Sequence, residues 1–108
     1  MPPIIRVEEI AKYVGQDVTV QGWVYNRTDK GKLVFLLVRD GSGFIQCVAF
    51  KGDLPEALFD QLTRLPQESS VIISGPVRAD TRAPGIPGGY EIGVKDIKIV
   101  QLAGHTDP

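Results

Sequence analysis

A disulfide is excluded at once, because the chain holds a single cysteine, Cys47. It sits in an apolar, strand-like stretch with no histidine or basic cluster beside it, which fits a small buried hydrophobe better than a reactive thiol. That cysteine usage fits a reducing compartment, and a cytoplasmic location is expected. Long apolar runs are lacking as well. The longest, Leu33 to Val38, falls far short of the roughly 20 residues of a membrane-spanning helix. The N-terminus shows no charged start followed by an apolar stretch, so no signal peptide is expected. The only histidine, His105, has no partner near it in sequence. No nucleophile–base set, Walker-type phosphate loop or metal-ligand spacing is visible, so no catalytic residue, metal or cofactor is expected of this chain. A basic surplus is missing too: 12 Lys and Arg stand against 13 Asp and Glu, for a net charge of −1. Binding to nucleic acid through phosphates alone normally needs such a surplus, so any nucleic-acid binding must rest on a local site.

What is present fits one domain. A chain of 108 residues can bury about two-thirds of its surface without a metal or disulfide staple. Val7, Ile10, Ala11 and Val14 recur at helical spacing, and Gly15 suits a helix end. From Val18 the period becomes two: Val18, Val20, Gly22 and Val24 alternate with Thr19, Gln21, Trp23 and Tyr25, predicting a strand with even positions inward. Asn26 to Gly31 reads as a polar turn, Lys32 to Arg39 as a second strand, and Asp40-Gly41 as a two-residue hairpin turn. A third strand runs from Ser42 or Gly43 to Phe50. Asp53 is a candidate N-cap with Glu56 at the capping-box position. Leu54, Leu58, Leu62 and Leu65 then form an apolar stripe that predicts a helix over Asp53–Leu65, stopped by Pro66. Ser70 to Val77 is a fourth strand. Thr81 to Gly89 is too rich in Pro and Gly for regular structure, and Tyr90 to Val100 is a fifth strand, broken near Asp96. The expected fold is all-β with one or two short helices: a five-stranded Greek-key barrel of the OB type over residues 1–103, with a helix plugging one end between strands three and four. Residues 104–108 read as the start of a linker.

Opposed residues in a sheet point to the same side. A two-residue turn at Asp40-Gly41 pairs Arg39 with Ser42, Leu37 with Phe44 and Phe35 with Gln46. Arg39 and Gln46 are poor core residues, so this side is expected to face solvent and to carry Phe35 with it. On the fifth strand, Glu91, Gly93 and Lys95 alternate with Ile92 and Val94, so Glu91 faces out as well. The face of strands two and three is where OB folds bind single-stranded nucleic acid. An exposed ring there stacks on an unpaired base. An amide such as Gln46 matches the edge of uracil or, turned over, of cytosine. Glu91 can only accept, which suits guanine's N–H groups or the amino group of cytosine. Arg27, Arg78 and Arg82 fall near strand ends, within reach of phosphates or bases.

The segments Gly22-Trp23-Val24, Leu33-Val34-Phe35-Leu36, Val38-Arg39-Asp40, Gly43 and Ile45-Gln46 resemble the anticodon-binding domain of class II aspartyl- and asparaginyl-tRNA synthetases. Pro66-Gln67-Glu68-Ser69, Gly75, Val77-Arg78, Arg82-Ala83-Pro84-Gly85 and Gly89-Tyr90-Glu91 extend the resemblance over nearly the whole chain. It implies that Phe35 stacks on the central anticodon uridine, that Gln46 reads that base and that Glu91 contacts a neighbouring one. The Asp40-Gly41-Ser42-Gly43 turn and the Arg-Ala-Pro-Gly loop are more similar to the asparaginyl branch. Ile86-Pro87 departs from the family as an insertion. The implied partner is a tRNA anticodon loop and not a membrane. ATP and magnesium would belong to a catalytic domain following Pro108. The chain is therefore expected to be an excised domain or a stand-alone paralogue, monomeric and inactive by itself, whereas the parent ligase is a homodimer. An aspartyl enzyme's domain, a general single-strand binder and a protein-interaction scaffold on the same face are the competing readings. Aromatics at 7% of residues and the absent basic surplus fit a general single-strand binder poorly.

Overall fold

Period-two patterning sorts the strands' side chains onto two sides, and burying one side of each closes the sheet on itself. The computed structural model describes residues 2–101. A 3₁₀ helix, Val7–Tyr13, precedes strands β1 (Asp17–Lys30), β2 (Leu33–Arg39) and β3 (Phe44–Phe50). A 3₁₀ turn, Lys51–Asp53, and helix α1 (Glu56–Leu62) lead to β4 (Ser70–Ala79), β5 (Gly85–Gly93) and β6 (Asp96–Gln101). β1 pairs antiparallel with β2 and β2 with β3, β3 pairs parallel with β5, and β4 pairs antiparallel with both β5 and β1. These pairings close a five-stranded ring of the OB type. β6 continues the line of β5 along the first half of β4. The fifth strand is thus interrupted, as the sequence suggests, with Val94 donating to the Val48 carbonyl and Lys95 to that of Ser74. Val18, Val20, Val24, Leu36, Val38, Ile45, Cys47, Ile73 and Ile92 fill the interior.

Several expectations are corrected, each for a local reason. The N-terminal segment winds as a 3₁₀ helix with three residues per turn. Its inward face is Val7 and Ile10, with Tyr13 partly buried, while Ala11 and Val14 stay exposed. The second helix starts at Glu56 rather than Asp53, and Pro55 occupies its N-cap position without a side-chain cap. A residue before proline is pushed out of the helical region, and Leu54 is extended, at φ −128° and ψ 154°. The buried stripe shifts accordingly: Phe59 and Leu62 join Leu54 and Leu65 in the core, and Leu58 is only half-buried. Asn26–Lys30 is strand rather than turn, because its backbone continues the β1–β2 ladder past a bulge at Tyr25. Gly85 to Gly89, assigned from composition to a loop, opens β5. The linker beginning at Ala103, and His105 within it, lie outside the described residues.

The β2–β3 connection is a four-residue loop, not a two-residue turn, and Arg39 faces Phe44. Asp40 closes it. Its Oδ1 accepts from the Ser42 N–H at 2.8 Å and the Ser42 hydroxyl at 2.7 Å, while Oδ2 accepts from the Val7 N–H at 2.9 Å. Ser42 Oγ in turn accepts from the Glu8 N–H at 3.1 Å, so the loop caps the start of the 3₁₀ helix. Partial burial alone raises the Asp40 carboxyl, but the hydrogen bonds from Val7 and Ser42, with the nearby Arg6 charge, outweigh it and hold the group below its ordinary value.

Phe59→Ala should cost about 3–5 kcal/mol of unfolding free energy and Leu58→Ala distinctly less. Chemical denaturation of both variants checks this, and the reverse order would place Leu58 in the core. Because Asp40 is depressed in the fold, its stabilisation is present above the unfolded value of about 3.9 and is lost as pH falls through the lower folded value. The stability gap between wild type and Asp40→Ala, measured by thermal melts, should therefore be constant near neutrality and shrink below about pH 4.

Candidate nucleic-acid interface

The ladder lays the outward side chains out in rows. One row runs Thr28, Phe35, Val48, Gly93. The next runs Asn26, Leu37, Gln46, Glu91, Arg78. A third runs Trp23, Arg39, Phe44, Pro87. Phe35 therefore opposes Val48 and not Gln46. The longer loop moves the register by two residues, and because side chains alternate with period two, the shift leaves every one on its expected side. Phe35 and Gln46 become diagonal neighbours, about 7–8 Å apart and within reach of each other's side chains. Both are half-buried on the outer face.

Gln46 has Leu37 on one side and Glu91 on the other. Arg78 Nη2 donates to Glu91 Oε2 at 2.8 Å, with the glutamate side chain 13% exposed and the arginine 55%. Gly93 carries no side chain, and the Arg78 guanidinium lies over it. Glu91 is thus clamped on one oxygen. Behind this row Cys47 is buried, and burial together with the Glu91 charge pushes its thiol well above the ordinary value, which leaves it inert. The Lys30 ammonium lies 5.9 Å from the centroid of the Phe35 ring, a cation–π contact.

The three arginines divide. Arg78 joins the reading face through Glu91. Arg82 sits in the β4–β5 turn with its side chain 91% exposed and only a 3.8 Å approach to Asp80. Arg27 is registered with Leu36, on the side of the sheet away from Phe35. Its Nη1 donates to the Leu65 carbonyl at 2.9 Å and its Nε lies 3.1 Å from Asp29 Oδ1. It lines a separate cleft with Asn26, Arg64, Pro66 and Gln67. Composition gave no hint of that bond to the end of α1.

Aromatic residues that the sequence reading left out also reach this face. Tyr25 and Phe44 meet edge to face, with ring centroids 5.0 Å apart and planes at 71°. The Arg39 guanidinium lies 5.2 Å from the centroid of the Trp23 ring and pairs with Glu68. Odd-position parity in β1 already pointed Trp23 and Tyr25 outward, and Phe44 shares the parity of Gln46. Among the described residues no group of His, Cys, Asp and Glu is placed to hold a metal, and no helix is long and apolar enough to cross a membrane.

Residues 18–100 match a family described as an OB-fold nucleic acid binding domain. An asparagine--tRNA ligase of Chloroflexus aurantiacus is 55% identical over 98 residues, which are 91% of this chain and 22% of that protein. The crystal structure of an asparaginyl-tRNA synthetase from Pyrococcus horikoshii, complexed with asparaginyl-adenylate, superposes with a TM-score of 0.86 at 36% identity, over 98% of this chain and 24% of that one. An OBody, AM3L09, bound to hen egg-white lysozyme, superposes with a TM-score of 0.71 at 31% identity, over 85% of this chain and 88% of that one. The chain spans less than a quarter of the length of the curated ligases it matches.

Proposed function

The chain belongs to the OB-fold nucleic acid binding domains of the tRNA anticodon family, and on that premise we propose that it reads a tRNA anticodon loop on behalf of an asparagine--tRNA ligase. The observation that carries the reading is the outer face, where Phe35, Gln46 and Glu91 stand on adjoining rows. In this reading Phe35 stacks on an unpaired central uridine and Gln46 meets that base's edge. Glu91 accepts from an N–H of a neighbouring base. Arg78 aims the Glu91 carboxylate, and Lys30 yields the ring to the base and turns to its phosphate. Arg27 and Arg82 lie at the margins, where backbone phosphates pass. The similarity to asparagine rather than aspartate ligases supports the choice of branch. Adenylate chemistry, with its ATP and magnesium, and homodimer formation belong in this proposal to the remainder of a cytoplasmic parent enzyme.

Titration of an anticodon stem-loop bearing a central uridine, against one bearing a central cytidine, tests the site. Phe35→Ala should lose about 1–3 kcal/mol of binding to both loops, because any base offers a flat face. Gln46→Ala should lose about 1–2 kcal/mol and only on the uridine loop, because an amide reads edges. Equal losses on both loops would remove Gln46 from the site. The few cations here should neutralise only about two to four phosphates, so affinity should fall shallowly with salt.

The 108-residue chain should catalyse no asparagine-dependent exchange of pyrophosphate into ATP and should scatter light as a monomer at micromolar concentration. Measurable exchange, or a stable dimer, would overturn that division of labour.

A further inference from the structure

Ile86-Pro87, the departure from the family pattern, does not hang free as a loop tip. The segment is seated against the start of β3 by two glycines. A Cβ on Gly43 would run into the Ile86 carbonyl oxygen, and one on Gly85, whose φ is +141°, would meet the Phe44 carbonyl oxygen at 2.5 Å. The turn behind it is closed by bonds from Gly89 to the Ala83 carbonyl and from Asp80 to that of Gly89. The Ile86 side chain is nevertheless 61% exposed. Across from it stands Tyr25, skipped by the β1–β2 register at the bulge and 46% exposed. A bulge re-aims the side chain it carries, and here it sets Tyr25 edge-on to Phe44. Tyr25, Leu37, Phe44, Gly85 and Ile86 together line one open cleft.

We propose that this cleft is a second base subsite, which takes the unpaired nucleobase next to the one held by Phe35 and Gln46. The inference rests on the RNA reading proposed above and adds a ligand position to it. Continuity with that face identifies the occupant. Leu37, part of the cleft, is the direct cross-strand partner of Gln46. Rows on one side of a strand lie two residues, or about 7 Å, apart. That is roughly twice the 3.4 Å rise between stacked nucleotides, so neighbouring bases on these rows are held unstacked, the state in which single strands are read. The lining holds no charged residue, so it suits a flat neutral heterocycle and not a phosphate. Phe44 and Ile86 supply apolar walls, and the Tyr25 hydroxyl can donate to or accept from a base edge. The insertion thereby extends the reading face instead of obstructing it.

The test is binding of the 108-residue chain to three stem-loops: the intact uridine-centred loop, and loops with an abasic residue immediately 5′ or immediately 3′ of that uridine. Tyr25→Ala should weaken the intact complex by about fivefold to a hundredfold, and Ile86→Ala by a smaller factor. With one abasic loop, wild type should be weaker by a comparable factor and neither substitution should weaken it further. With the other abasic loop, both substitutions should keep their effect. Unchanged binding of the intact loop by both variants, or equal losses on both abasic loops, would overturn the subsite. Thermal melts report folding, and if Tyr25→Ala does not fold, Ile86→Ala decides alone. Phe35→Ala separates the two levels. A loss there without one at Tyr25 and Ile86 removes only the second subsite, whereas no loss there removes the RNA reading itself.

Discussion

Ring closure through β4 is the interaction on which the rest depends. β4 gives one edge to β1, from Ser70 to Pro76, and the other to β5 and β6 in succession. Without it the sheet would be an open ribbon with bare edges, which invites pairing between chains. With it, Val71, Ile73 and Val77 complete the interior. The helix between β3 and β4 then adds Phe59 and Leu62 to the same buried cluster. The outer rows inherit their order from this closure. Gln46 and Glu91 are neighbours only because β3 runs parallel to β5, and β5 is held there by β4.

A reading face built on strands of a closed barrel differs from one built on loops. Phe35, Gln46 and Glu91 stand on backbone whose hydrogen bonds are made within the ladder, so their spacing is set before a ligand arrives. Such preorganisation lowers the ordering cost of binding. It also accommodates a net charge of −1. Stacking and edge contacts at fixed positions do not need the long-range attraction of a basic surface. The acidic residues that offset the arginines are themselves engaged locally, as Glu91 is with Arg78, Asp29 with Arg27 and Glu68 with Arg39.

The OBody likeness bears on the same physics. A fold of this shape, found bound to lysozyme in that structure, offers a curved face whose side chains can change while the interior stays constant. Which ligand a given chain takes is then a property of outward residues alone. In this chain those residues are an aromatic ring, an amide and a clamped carboxylate, a set suited to flat polar heterocycles.

The sequence by itself determined which side each strand residue takes, the order of the strands and the existence of both helical segments. Those follow from period and propensity, which act between residues a few positions apart. Leu54 before Pro55 carried enough local information to place the start of α1 correctly, had proline's effect on its predecessor been weighed against the capping pattern. Only the tertiary structure decided that Phe35 opposes Val48, that Arg27 ties to Leu65 rather than joining the face, and that Ile86 walls a cleft with Tyr25. Each of these depends on backbone segments far apart in sequence being brought together: by the Asp40 carboxylate bridging Val7 and Ser42, by a single bulged residue in β1, and by the ring closing through β4. No local period encodes such meetings, because the free energy that selects them comes from burying the whole interior at once.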